Sequence, residues 1–138
     1  MLRQNRYQDE QFIRAEQALT INQDEILISA EHAIVIALEP EQVDGITGLM
    51  TFIRKIIKAV PALDNEVQDF YETISSDTDF PHSLSIIYFD GNDVILDYWS
   101  DEMNNQFSVI FTHEHEAWWL KEWNGRTVPD TWHTSRKK

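Results

Sequence analysis

Residues Ser83 to Arg126 read SLSIIYFDGNDVILDYWSDEMNNQFSVIFTHEHEAWWLKEWNGR, three apolar runs separated by turn-forming clusters and closed by a tryptophan-rich segment. Short runs of β-branched and aromatic residues bounded by Gly, Asn and Asp read as strands, so the stretch predicts a four-strand antiparallel meander. Its strands fall at Leu84 to Phe89, Val94 to Trp99, Gln106 to Thr112 and Ala117 to Trp123. Asp90-Gly91 marks the first hairpin because both residue types tolerate positive φ. Strict alternation in the last strand sends Trp118 and Leu120 one way and Trp119, Lys121 and Trp123 the other, so large aromatics lie on both faces. One face is core; the other needs a cover, supplied by a helix, the N-terminal segment or a partner.

The segment upstream supplies the second layer. After Gly45 and Gly48, the residues Leu49, Phe52, Ile53, Ile56, Ile57 and Val60 fall on one face of a helix, with Arg54, Lys55 and Lys58 opposite. Pro61 predicts the end of that helix, and Asp64 is placed to cap a second one running to about Ile74, with Val67, Phe70, Tyr71 and Ile74 inward. Ser75 to His82 then connects to the meander. Earlier in the chain, Glu25 to Ser29 and Ala33 to Leu38 read as a strand pair, with a continuous helix through AEHAIVIALEPEQV as the competing reading; Pro40 ends the run either way. Asn5 to Leu19 carries a thin apolar line, Phe12, Ala15 and Leu19, and reads as a peripheral helix.

The expected fold is α+β, an antiparallel sheet of about five or six strands whose C-terminal four-strand meander packs against two amphipathic helices, Gly48 to Val60 and Asp64 to Ile74. At 138 residues the chain reads as a single domain, 1–138, large enough to bury a core, with residues 1–4 and the basic tail 134–138 frayed.

The net charge of -13 disfavours phosphate backbones and anionic lipid as partners, so neither nucleic acid nor a membrane surface is expected. Ala59 to Leu120 contains 13 acids and neither Lys nor Arg. That run is either a well-solvated surface or a face suited to a basic partner. No apolar stretch reaches spanning length, the N-terminus lacks a signal-type apolar region, and cysteine is absent, which together point to a cytoplasmic protein.

Catalytic patterns are weak. His113-Glu114-His115-Glu116 places two histidines at i and i+2, where they could share a divalent ion with Asp97 or Asp101 as a third ligand. A polar hairpin turn accounts for the same residues, so no metal and no cofactor is assigned. Asp97, Asp101 and Glu102 beside Trp99 could form a carboxylate pair on an aromatic platform, yet acids near turns are usually solvated. Neither GxSxG, SxxK nor GxxxxGK[ST] occurs.

The cluster with most chemical meaning is non-catalytic: Tyr98, Trp99, Asp101, Glu102, Trp118, Trp119 and Trp123 combine anchoring aromatics with acids. At least half of its tryptophans must serve the core. The partner-binding residues expected are Asp97, Asp101 and Glu102 for charge, and Trp99, Trp119 and Trp123 as anchors.

In this overall character, and in the segments DVILDYWSDEMNNQFSVIF and AWWLKEWNG, the chain resembles the immunity proteins of bacterial contact-dependent inhibition and polymorphic toxin systems. The resemblance implies a non-enzymatic inhibitor that covers a cognate toxin, frequently a basic nuclease. Two alternatives stay open: a structural or assembly subunit that self-associates through its two-sided aromatic strand, and a small metal- or carboxylate-dependent hydrolase.

Overall fold

The structure, a computed structural model, describes residues 6–7, 9–17, 19, 21–75 and 80–136. Among these residues the fold is α+β, with four helices and an eight-stranded, mostly antiparallel sheet. The chain begins with α1 (Asp9–Gln17), β1 (Ile21–Asn22), β2 (Glu25–Ser29) and β3 (Ile34–Ala37). It continues through α2 (Pro40–Asp44) and α3 (Ile46–Ile74) to β4 (Ser83–Asp90) and β5 (Asp93–Ser100). β6 (Asn105–Glu114), β7 (Ala117–Trp123), β8 (Arg126–Thr127) and α4 (Asp130–Arg136) complete it.

Spatial order follows sequence order from β1 to β8. Neighbours pair antiparallel except β3 and β4, which run parallel with Val35 opposite Ile86 and Ile36 opposite Ile87. A parallel pair needs a crossover, and α2 with α3 provides it. The sheet therefore joins two antiparallel units, which corrects the expectation of five or six strands in one antiparallel sheet. β2 and β3 form the expected strand pair, and Pro40 serves as the first residue of α2.

Helix α3 is the second layer, and it is one helix where the sequence suggested two. Pro61 lies in its interior, buried, and ends nothing. An interior proline costs about 3 kcal/mol. That cost is offset by an apolar stripe that continues through Ile53, Ile56, Ile57, Val60, Leu63, Val67 and Phe70, all buried against the sheet. Asp64 is consequently not a cap but a mid-helix residue, 1% exposed. α1 is less peripheral than expected, since Phe12 is fully buried and Tyr7, just before it, is 3% exposed. At the other end, Thr134 to Arg136 continue α4 and are not a frayed tail; residues 1–4, 137 and 138 lie outside the described residues.

Tight turns set the register. His115 and Glu116 both have positive φ (52 and 62), as do Asn124 and Gly125 (48 and 86), the pattern of two-residue hairpins whose twist matches the strands. In the β4–β5 hairpin the positive φ falls on Gly91. β7 contains a bulge: Leu120 faces Phe111 while Glu122 faces Ile110, leaving Lys121 unpaired. The extra residue reverses the alternation beyond it. Trp118, Leu120 and Trp123 all point to the helices, which corrects the expectation that Trp123 shares a face with Trp119.

Candidate partner-binding face

Helices α1 and α3 occupy one side of the sheet. Ile87, Val94, Leu96, Tyr98, Val109, Phe111 and Leu120 meet them there in a single core. The residues between these point the other way, and their register is continuous across strands. Tyr88, Ile95 and Ile110 form one row; Val35, Ile86, Asp97 and Ser108 form the next; Ser83, Trp99 and Gln106 form the one below. Nearer the β4–β5 turn, Asp93, Thr112 and Trp119 align. α4 touches this outer face at its margin, where the His133 and Trp119 rings meet edge-on, 5.9 Å apart.

The apolar residues of the outer face are half-buried by one another, and Trp99 is 38% exposed. This explains why the β4–β6 runs are nearly continuous in hydrophobicity instead of alternating. Such continuity signals a strand with apolar side chains on both faces. That continuity is the signal in the sequence for Tyr88, Ile95 and Ile110, residues to which the aromatics of β7 alone do not point.

Four of the six expected contact residues come together. Asp97 and Trp99 are adjacent on the outer face of β5, and Asp101 and Glu102 follow in the exposed turn below. The indole Nε1 of Trp99 donates to Asp101 Oδ1 at 2.6 Å, which pins the ring. Trp119 shares the face but sits near its opposite end, roughly 20 Å along the strands from the Trp99 row at 3.3 Å per residue. Trp123 is on the helical side, its ring stacked on Phe107 (4.8 Å) and tilted against Phe70 (5.0 Å), so it cannot act with Trp99 on one surface.

Charge on the outer face is unevenly compensated. Lys121 Nζ donates to Asp93 Oδ2 at 2.9 Å, and that bond holds the Asp93 carboxyl below its usual range. Asp97 has no donor to its carboxylate among the described residues; burial between Ile86 and Ser108 pushes its carboxyl up. Along the margin beside β7, a groove of about 360 Å³ is lined by Thr112, Glu114, His115, Trp119, Lys121 and His133, among others.

A second polar cluster lies inside the molecule. Asp64 Oδ2 accepts from Arg6 Nε (2.7 Å) and Gln68 Nε2 (2.9 Å), and its Oδ1 accepts from Arg6 Nη2 (2.8 Å) and the Tyr98 hydroxyl (2.7 Å). Arg6 Nη1 reaches the His82 carbonyl at 2.7 Å, and Leu84 N–H donates to the Tyr7 hydroxyl at 2.9 Å. Burial together with the nearby Asp64 carboxylate holds the Tyr98 hydroxyl well above the usual tyrosine range. Burial alone would weaken Arg6 as a base, but its hydrogen bonds to Asp64 outweigh that and raise it. Both oxygens of the carboxylate are engaged, each by two donors, so the cluster is a structural clasp.

The metal reading of the histidines does not assemble. His113 points to the helical side, 6.1 Å from Phe52 and 4.7 Å from Trp118 between ring centroids, whereas Asp97 points to the outer face. Among the described residues no group of three or more His, Asp or Glu could hold a metal ion. Among the same residues no helix is long and apolar enough to cross a membrane. No family model, no curated protein and no solved structure matches the chain.

Proposed function

We propose that this chain is a non-catalytic acidic binding protein that captures and neutralises a basic protein in the cytoplasm, as an immunity protein does, with a basic nuclease toxin as its leading target. The four-strand meander expected from Ser83 to Trp123 is the frame to which we assign the contact. The observation that carries this reading is the outer face of that frame, apolar across Tyr88, Ile95, Ile110 and Trp99, which among the described residues meets a helix only at the α4 margin beside Trp119. Four strands at about 4.8 Å spacing and about eight residues of length give on the order of 500 Å² in projection, the scale of one side of a specific protein interface.

Charge selects the partner. A second copy of the chain would bring another net -13 to the same surface, which opposes self-association. A basic partner gains from that field, chiefly in its rate of association. The test is capture by the tagged protein at low and high salt, beside a bait carrying Trp99→Ala with Ile95→Asp. The expected result is one basic protein, weakened by salt and lost with the variant bait. Recovery that ignores the variant, or recovery of the bait alone, overturns the reading.

A further inference from the structure

We infer that Asp97 and Trp99 form a receptor for an arginine side chain presented by the partner; this deepens and rests on the neutraliser reading above. Asp97 occupies the middle of the outer face, with Ile86 and Ser108 beside it on neighbouring strands and Ile95 and Trp99 two residues away on its own. Both of its carboxylate oxygens lack a donor among the described residues, and the nearby cation Lys121 is engaged by Asp93. A half-buried carboxylate without a mate costs stability and contributes nothing to the fold. Its raised carboxyl range agrees with that desolvation.

The surroundings favour guanidinium over ammonium. Two open oxygens accept a planar fork in bidentate fashion, and guanidinium is the more weakly hydrated cation, so it tolerates the Ile86 and Ile95 walls better. The N–H of Trp99 is already committed to Asp101, 2.6 Å away, which leaves the ring's π face for the ligand. Two residues along a strand span about 7 Å, a separation at which one guanidinium can meet a carboxylate and lie within cation–π range of the indole. Asp101 is then a positioning residue for Trp99. Ser108, opposite Asp97, offers a further hydroxyl.

The probes are the blocked peptides Ac-Gly-Arg-Gly-NH2 and Ac-Gly-Lys-Gly-NH2, titrated into the 15N-labelled chain at low ionic strength and followed by amide and indole NMR shifts. The arginine peptide is expected to shift Asp97, Ser108 and the Trp99 indole saturably, at least about threefold more tightly than the lysine peptide. Asp97→Asn, and independently Trp99→Leu, weaken it about tenfold and about threefold. Well-dispersed spectra establish that each variant is folded, and either variant alone suffices for the test. Equal responses to the two peptides, shifts centred on the turn acids Asp90, Asp93, Glu114 and Glu116, or binding unaffected by both variants overturn the inference. The titration needs no partner protein. A captured basic partner with an unresponsive Asp97 therefore removes this inference alone, and a responsive Asp97 without any partner removes the neutraliser reading alone.

Discussion

Arg6 and Asp64, 58 residues apart, are joined by two hydrogen bonds of 2.7 and 2.8 Å, with the Asp64 side chain 1% exposed and that of Arg6 28%. Removing the cation leaves a buried carboxylate with neutral donors only. Arg6→Ala is expected to cost about 3 kcal/mol, or about 10 °C in Tm for a chain of this size. In the Arg6→Ala background, Asp64→Asn should recover part of the loss, and a double-mutant cycle by urea denaturation measures the coupling. A coupling near zero would show that the clasp does not hold the N-terminal segment.

Alkaline pH should act on the same cluster. The folded Tyr98 hydroxyl titrates above its ordinary value of 10.0, so the unfolded chain releases that proton first. Its contribution to stability is complete below pH 10 and is lost as pH rises from there towards the folded value, at a slope approaching 1.4 kcal/mol per pH unit. Tyr98→Phe removes this slope. Urea melts between pH 9 and 11 should therefore show a shallower alkaline decline for the variant, even though it starts less stable from the loss of the bond to Asp64.

The bulge at Lys121 sorts the tryptophans. Trp123→Ala deletes a ring packed between Phe70 and Phe107 and is expected to cost about 2 to 3 kcal/mol, below the range for a fully buried aromatic because Trp123 is only partly buried. Trp99→Ala, on the outer face, should change stability by less than about 1 kcal/mol. Chemical denaturation of the two variants gives the comparison, and the reverse order would place Trp123 outside.

Asp97→Asn removes a charge that the fold desolvates without compensation. Because the folded carboxyl titrates above the unfolded one, its stabilising contribution is full at acid pH and is lost as pH rises past that range. The variant should melt above the parent at pH 7 and level with it below pH 4. A lower melting point at neutral pH would mean that the carboxylate has a mate in the free protein.

Ile56 is fully buried under the sheet. Ile56→Asp places an unpaired carboxylate there, at a cost of several kcal/mol against a total domain stability of about 5 to 15 kcal/mol. Thermal melting should lose its cooperative transition. A melt matching the parent's would take α3 out of the core.

The β4–β5 hairpin is readable because turn chemistry is local, with Asp90-Gly91 announcing it within two residues, whereas β8, two residues long beyond Asn124-Gly125, gives no run of apolar residues to read. The apolar stripe of α3 was equally plain, but its length was not. Pro61 argued for a break, and only the depth of burial on both sides shows why the helix continues. Trp123 was misplaced because a bulge adds one residue without any composition signal, and a slip of one inverts every face beyond it. Asp64 read as a helix cap because its mates, Arg6 and Tyr98, lie 58 and 34 residues away, where periodicity carries no information. The grouping of Asp97, Trp99, Asp101 and Glu102 was legible because all four lie in one strand and the turn that follows it.

The clasp also has a consequence for synthesis. Arg6 leaves the ribosome long before Tyr98, and at about 5 to 20 residues per second the 92 positions that separate them take roughly 5 to 20 s to make. For much of that interval β3 also lacks its parallel neighbour β4, which lies beyond α3. Early in synthesis Arg6 thus lacks the Asp64 carboxylate that holds it, and the Tyr7 hydroxyl lacks the Leu84 N–H from which it accepts. A molecule of net charge -13 thus holds, while it is being made, a cation at Arg6 that waits for an acid 58 residues further along its own chain.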